Sequence, residues 1–172
     1  MTDPSAALRL AEVFQAIAET RMARLPLCNP ALQVEAVAFR PWQDGSAGVL
    51  ITPWCMNLVF LPGPGSNWEE AQTGTEATLA FPSGDYVFLV AREARLGSNF
   101  GSYLASSLFS PMFELSSMDE ARAVAESAMA EVFSEARAPE GEPASPRPGT
   151  QAQGGMNRRG FLAAWIPRGE GT

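Results

Sequence analysis

The sequence predicts an α+β domain: a mostly antiparallel sheet of about four strands packed with an N-terminal and a C-terminal helix, followed by a flexible tail. Three observations predict it. Apolar residues recur at helical spacing near the start of the chain and again after residue 117. The residues between are rich in β-formers punctuated by turn dipeptides, with no helical pattern separating the runs. Beyond residue 137 the composition changes abruptly to Pro, Gly, Ala, Glu and Ser.

The elements follow in order. Asp3 is a suitable cap and Pro4 a suitable first residue for a helix, because the proline nitrogen sits where a backbone donor is unpaired anyway. Leu10, Phe14, Ile17 and Leu25 then share a face with Ala7, Ala11 and Ala18. Arg21 and Arg24 suit the negative end of the helix, and Pro26 and Asn29-Pro30 stop it. Residues 32–40 read as a strand, turned at Asp44-Gly45. Residues 47–61 read as one long central strand, broken or bent at Pro53. Residues 76–82 and 85–92 flank Ser83-Gly84 as a hairpin, whereas the Gly, Ser and Pro content of 98–113 suggests short helical or irregular structure. Ser117 and Glu120 have capping-box spacing. Behind them Ala121, Val124, Ala125, Ala128, Val132 and Phe133 mark the buried face of the second helix.

The expected organisation is a folded domain over 1–137, a disordered linker over 138–155 and a tail over 156–172. The linker cannot bury enough apolar surface to offset its ordering entropy. The segment Val49–Trp68 is free of charge and about long enough to span a bilayer. Pro53, Asn57, Pro62, Gly63 and Pro64 would leave backbone groups unsatisfied in lipid, so it reads as buried strand and loop. The start, Met1-Thr2-Asp3-Pro4, lacks the pattern of a secretory signal. A cytoplasmic location is expected.

The composition narrows the chemistry. Among 172 residues there is no histidine, the formal net charge is −7, and all twelve basic residues are arginine. Lack of histidine removes the usual general base and the Ser-His or Cys-His nucleophile pairs. Cys28 and Cys55 are the only thiols and cannot form a four-sulfur site, so no metal or cofactor is expected and both read as reduced. No basic run is long enough to neutralise a series of phosphates, which argues against nucleic acid.

Three segments carry a resemblance: Thr52-Pro53-Trp54-Cys55-Met56-Asn57-Leu58, then Phe81-Pro82-Ser83-Gly84, then Ser107-Leu108-Phe109-Ser110-Pro111-Met112-Phe113. Asn29-Pro30 followed by Val34-Glu35-Ala36 fits the same pattern. Together, in this order and spacing, they resemble the HupJ/HybE family of [NiFe]-hydrogenase maturation proteins over roughly Phe14–Phe133. The resemblance implies a non-enzymatic chaperone. Its implied partner is the small-subunit precursor of an uptake hydrogenase, which it would hold back from export until assembly is complete, with the large subunit as a further possible partner. Some relatives carry a rubredoxin module. This chain lacks the C-x-x-C pairs such a module needs, and Ser106 stands where relatives often have cysteine.

A twin-arginine signal presents two adjacent guanidinium groups, then Phe-Leu, then a longer apolar region. A binder needs carboxylate acceptors for the first part and an apolar groove for the rest. Trp54, Met56, Asn57, Phe81, Tyr86, Leu108, Phe109, Met112 and Phe113 are the candidate peptide-binding residues, since methionine and aromatic side chains suit irregular apolar ligands. Each serves a core equally well, and Asn57 equally well satisfies a bent strand. Glu69, Glu70, Glu76 and Asp85 are candidate partners for the arginine pair.

The tail carries Asn157-Arg158-Arg159-Gly160-Phe161-Leu162, which matches the core of a twin-arginine signal. Arg158, Arg159, Phe161 and Leu162 therefore form a candidate pseudo-signal that lies in the chaperone's own groove; the bland reading is an amphipathic tail packed on its domain. A binder that ignores the signal and recognises the folded iron–sulfur subunit or the large subunit is the first alternative. A thiol-dependent enzyme using Cys55 is the remote one.

Overall fold

A computed structural model describes residues 4–68, 71–96 and 101–135. Its elements are α1 (Pro4–Glu19), β1 (Glu35–Trp42), β2 (Gly45–Ile51), β3 (Met56–Pro62), β4 (Glu76–Phe81), β5 (Gly84–Ala91), a 3-10 turn (Ala94–Leu96), β6 (Tyr103–Phe109) and α2 (Met118–Val132). The α+β class holds, with six strands where about four are expected. The strands form one antiparallel sheet in the order β1-β2-β3-β6-β5-β4.

The two additional strands have distinct physical origins. Residues 47–61 do not bend at Pro53; they reverse there into the β2–β3 hairpin. The reversal is closed by a compact turn in which the Thr52 N–H donates to the Cys55 carbonyl at 2.9 Å, and the Cys55 N–H donates to Thr52 Oγ1 at 2.9 Å. The stretch expected to be irregular, 98–113, supplies β6. Its serines are poor β-formers, but Ser106 and Ser107 pair with Leu58 and Asn57 of β3 while Tyr103, Leu104 and Ala105 pair with β5, and this pairing overrides local preference.

Helix α1 ends at Glu19 and not near Leu25. The Thr20 hydroxyl donates to the Ala16 carbonyl at 2.6 Å, and the Met22 N–H takes the Ile17 carbonyl at 3.0 Å, which closes the last turn. Arg21 is drawn away to Glu93 at 2.7 Å, and Leu25 and Leu27 are left exposed. Helix α2 starts where its spacing predicts. Ser117 is the cap and accepts from the Glu120 N–H at 3.2 Å. The Glu120 carboxylate returns to the Ser116 N–H at 2.7 Å, one residue upstream of the usual capping-box donor.

The sheet separates two cores. On one face α1 buries Ala7 and Leu10 against Leu50, Val59, Leu61 and Tyr103. The other face and α2 enclose the larger core, built from Val49, Ile51, Leu58, Phe60, Phe88 and Leu104 with Ala121, Val124, Ala125 and Val132. Alanines 121 and 125 let the helix backbone approach the strands closely. At β1, a bulge between Val37 and Arg40 turns Phe39 onto the α1 side, where its ring lies against Gly48. A Cβ at Gly48 would overlap that ring, so the residue is fixed as glycine by packing.

The sheet also curls on itself. Trp42, at the end of one edge strand, stacks on Phe81, at the end of the other, with centroids 5.5 Å apart. The Gln43 amide donates to the Ala80 carbonyl at 3.3 Å across the same junction. Phe133 meets both rings edge-on at 5.0 and 5.6 Å, and the Arg40 guanidinium lies over Phe133 at 4.3 Å. No helix of the described residues is long and apolar enough to cross a membrane.

Candidate functional site

Two of the three segments singled out in the sequence, 52–58 and 107–113, are joined through Asn29. It is a buried polar residue, 6% exposed. Its N–H donates to the Pro53 carbonyl at 2.8 Å, in the β2–β3 turn. Its side-chain amide donates to the carbonyls of Met112 at 2.9 Å and Leu115 at 2.7 Å, and its Oδ1 accepts from the Ala31 N–H at 3.0 Å. Every polar atom of that side chain is therefore used to join the 29–32 loop, the β2–β3 turn and the segment after β6. Ser110 adds a weaker tie, its hydroxyl donating to the Trp54 carbonyl at 3.4 Å.

This arrangement sorts the candidate residues. Met56 and Met112 are fully buried, and Phe81 nearly so. They form the floor and offer no surface to a ligand in this conformation. Trp54, Leu108, Phe109 and Tyr86 are half-buried, with all but Trp54 packed on the larger core. Phe113 is 53% exposed, an uncommon position for a phenylalanine and beside the exposed Glu114. Asn57 is half-buried on the other face of the sheet, paired in register with Leu50 and Ser107.

Phe81 and Tyr86 belong to the β4–β5 hairpin. The loop between them is Pro82-Ser83, one residue upstream of the expected Ser83-Gly84, because Gly84 already pairs with Phe81. Ser83 docks the hairpin onto the end of α2: its hydroxyl donates to the Val132 carbonyl at 2.9 Å and accepts from the Tyr86 hydroxyl at 2.8 Å. Of the candidate carboxylates, Asp85 stands exposed at the start of β5 and Glu76 exposed at the start of β4, while Glu69 and Glu70 lie outside the described residues. Arg158, Arg159, Phe161 and Leu162 also lie outside them, as do the linker and tail boundaries.

The thiols are not activated. Burial pushes the Cys55 thiol above its ordinary value, and hydrogen bonds with Thr52 and Asn57 offset this in part. Desolvation raises Cys28 as well. Among the described residues there is no group of three or more His, Cys, Asp or Glu side chains able to hold a metal ion.

What sequence reasoning missed is the structural role of Asn29, read as part of a helix stop and of the family pattern, and the partnership of Trp42 and Phe133 with Phe81. A lone polar residue before a proline, between two apolar stretches, was the available signal for the first. The second had none, because Trp42 and Phe81 stand on opposite edges of the sheet.

The family model of the [NiFe]-hydrogenase assembly chaperone HybE matches residues 5–164 of this chain. The chain belongs to that family. It is 41% identical to the hydrogenase expression/formation protein HupJ of Bradyrhizobium diazoefficiens over 124 residues, covering 72% of this chain and 69% of that protein. It is 42% identical to the protein HoxT of Cupriavidus necator over 164 residues, covering 89% and 85%. The solution structure of HybE from Escherichia coli superposes with a TM-score of 0.61 at 22% identity, covering 89% of this chain and 93% of that one, and so shares the fold. The resemblance read from residues 52–58, 81–84 and 107–113 is thereby established as family membership, and this HybE-family chain is a hydrogenase maturation protein.

Proposed function

We propose that this chain is a non-enzymatic chaperone that binds the small-subunit precursor of a [NiFe] hydrogenase through its twin-arginine signal, and holds it in the cytoplasm until assembly is complete. The observation that carries the reading is the junction organised by Asn29. It presents Phe113 exposed and Trp54 and Phe109 half-exposed at one end of the sheet, over a methionine floor. Large aromatic side chains with few rotatable bonds give contact area at low entropic cost, and adaptable methionines beneath them accommodate varied apolar sequences. Two exposed carboxylates, Glu114 at this end and Asp85 at the start of β5, supply acceptors for adjacent guanidinium groups.

The test is isothermal calorimetry with precursor carrying or lacking its signal, and with the signal as a free peptide. Binding of the free signal, and loss of binding when the signal is removed, is the expected result. Equal binding of both precursor forms would transfer the role to recognition of the folded iron–sulfur subunit.

A further inference from the structure

The sheet is split along part of its length. The β5–β6 ladder runs only from Leu89↔Ala105 to Ala91↔Tyr103, although β5 begins at Gly84 and β6 continues to Phe109. Backbone direction alternates along a strand. Val90 directs its N–H and carbonyl toward the β4 side, where they bond Thr75 and Gly74 at 2.9 and 2.8 Å. The N–H and carbonyl groups of Asp85 and Val87 therefore face the split, with Val87 opposite Ser107 when the register is continued. Among the described residues the β5–β6 ladder does not extend to them. An internal strand edge of this kind is a template for an added strand. It is also apolar: Val87 and Leu89 are 50% and 51% exposed on the face that α1 leaves uncovered.

We propose that the chain's own residues 158–165, Arg-Arg-Gly-Phe-Leu-Ala-Ala-Trp, dock along this free edge of β5 as an intramolecular occupant that a precursor signal must displace. Three observations select this occupant over another segment. The described chain leaves α2 beside the split, because Ser83, two residues before Asp85, is bonded to the Val132 carbonyl through both its N–H, at 3.3 Å, and its hydroxyl, at 2.9 Å. Charge is complementary: residues 1–135 carry sixteen acidic and seven arginine side chains, whereas 136–172 carry five arginines and three glutamates. Asp85 and Glu114 are exposed and make no ion pair with a described residue. Finally, the family match does not stop at α2 but runs to residue 164, through the arginine pair and Phe161-Leu162. The 22 residues between Glu135 and Arg158 extend to about 75 Å at most, so reach does not limit docking. Tethering gives an effective concentration near millimolar, enough to hold a segment of micromolar affinity in place.

Only the displacement by a signal rests on the proposed function; the docking does not. The experiment compares the full chain with the full-length triple variant Arg158→Gln/Arg159→Gln/Phe161→Ser by amide hydrogen exchange, followed by calorimetry with a synthetic signal peptide. Docking predicts that the amides of Val87 and Ser107 exchange about tenfold more slowly in the natural chain, with Leu58 and Val59 unchanged as a check on the fold. Equal exchange at Val87 and Ser107 overturns it, and so does protection that grows with protein concentration, which would assign the edge to a second copy. Displacement predicts that the variant binds the signal peptide about tenfold more tightly; equal affinity overturns that part. Protection at Val87 with no peptide binding to either chain would sink the proposed function and leave docking standing. Peptide binding without protection would do the reverse.

Discussion

The side-chain amide of Asn29 donates to the Leu115 carbonyl at 2.7 Å, joining residues 86 positions apart in the chain. With the second bond to Met112, it fixes the segment that presents Phe113, so one buried amide connects fold stability to the shape of the candidate site.

Asn29→Ala should therefore be costly. It strands two buried carbonyls, and a loss of about 2–4 kcal/mol is expected. Urea unfolding gives the magnitude. At temperatures where the variant remains folded, precursor binding should fall further than its loss of stability explains, because residues 112–115 lose their anchor.

Neighbours of opposite burial should separate folding from binding. Met112→Ala empties a fully buried site and should destabilise by about 2–5 kcal/mol. Phe113→Ala removes an exposed ring and should change stability by less than about 1 kcal/mol. If the aromatic end is the binding surface, Phe113→Ala together with Trp54→Ala weakens signal-peptide binding about tenfold or more. Undiminished affinity in the folded double variant would place the site elsewhere.

The Ser83 relay offers a local test. Since the Ser83 hydroxyl gives its proton to the Val132 carbonyl, it accepts that of Tyr86. Ser83→Ala should cost about 1–2 kcal/mol and Tyr86→Phe about 1 kcal/mol. Coupling between them in a double-mutant cycle is the readout, because the two hydroxyls share one chain of bonds.

Cys55 should behave as a shielded thiol. Its folded value lies above the ordinary 9.0, so below that pH both folded and unfolded chains keep the proton and stability is insensitive to the group. As pH rises past the ordinary value, the unfolded chain loses its proton first, binds fewer protons than the folded chain, and stability falls. Cys55→Ser should flatten this alkaline decline. Alkylation near neutral pH should run slower than that of free cysteine, and a faster rate would revive the thiol-enzyme alternative.

Much of the fold was legible from local signals. Ser117 and Glu120 placed the start of α2, and the buried residues of that helix include Ala121, Val124, Ala125, Ala128 and Val132, as their spacing indicates. Met129 was not named, although it lies on the same face. The hairpin around Ser83 was visible to within one residue. What failed was non-local. Pro53 reads as a break or bend in one strand, and only the pairing of Ile51 with Met56 shows that the chain reverses there. Ser106 and Ser107 read as irregular, and only their pairing with Leu58 and Asn57 of β3 shows that they are strand.

The candidate site divides in the same way. Sequence order alone established which segments carry the family pattern, that they lack histidine chemistry, and where two arginines precede Phe-Leu near residue 160. Tertiary structure decided that Met112 faces inward and Phe113 outward. It also decided that Asn29 joins three distant segments, and that the β5–β6 ladder ends before its strands do. The physical reason is that helix caps and turns are settled by groups a few residues apart. Strand neighbours and buried amide partners are settled by chain closures over tens of residues, which leave little trace in any local window.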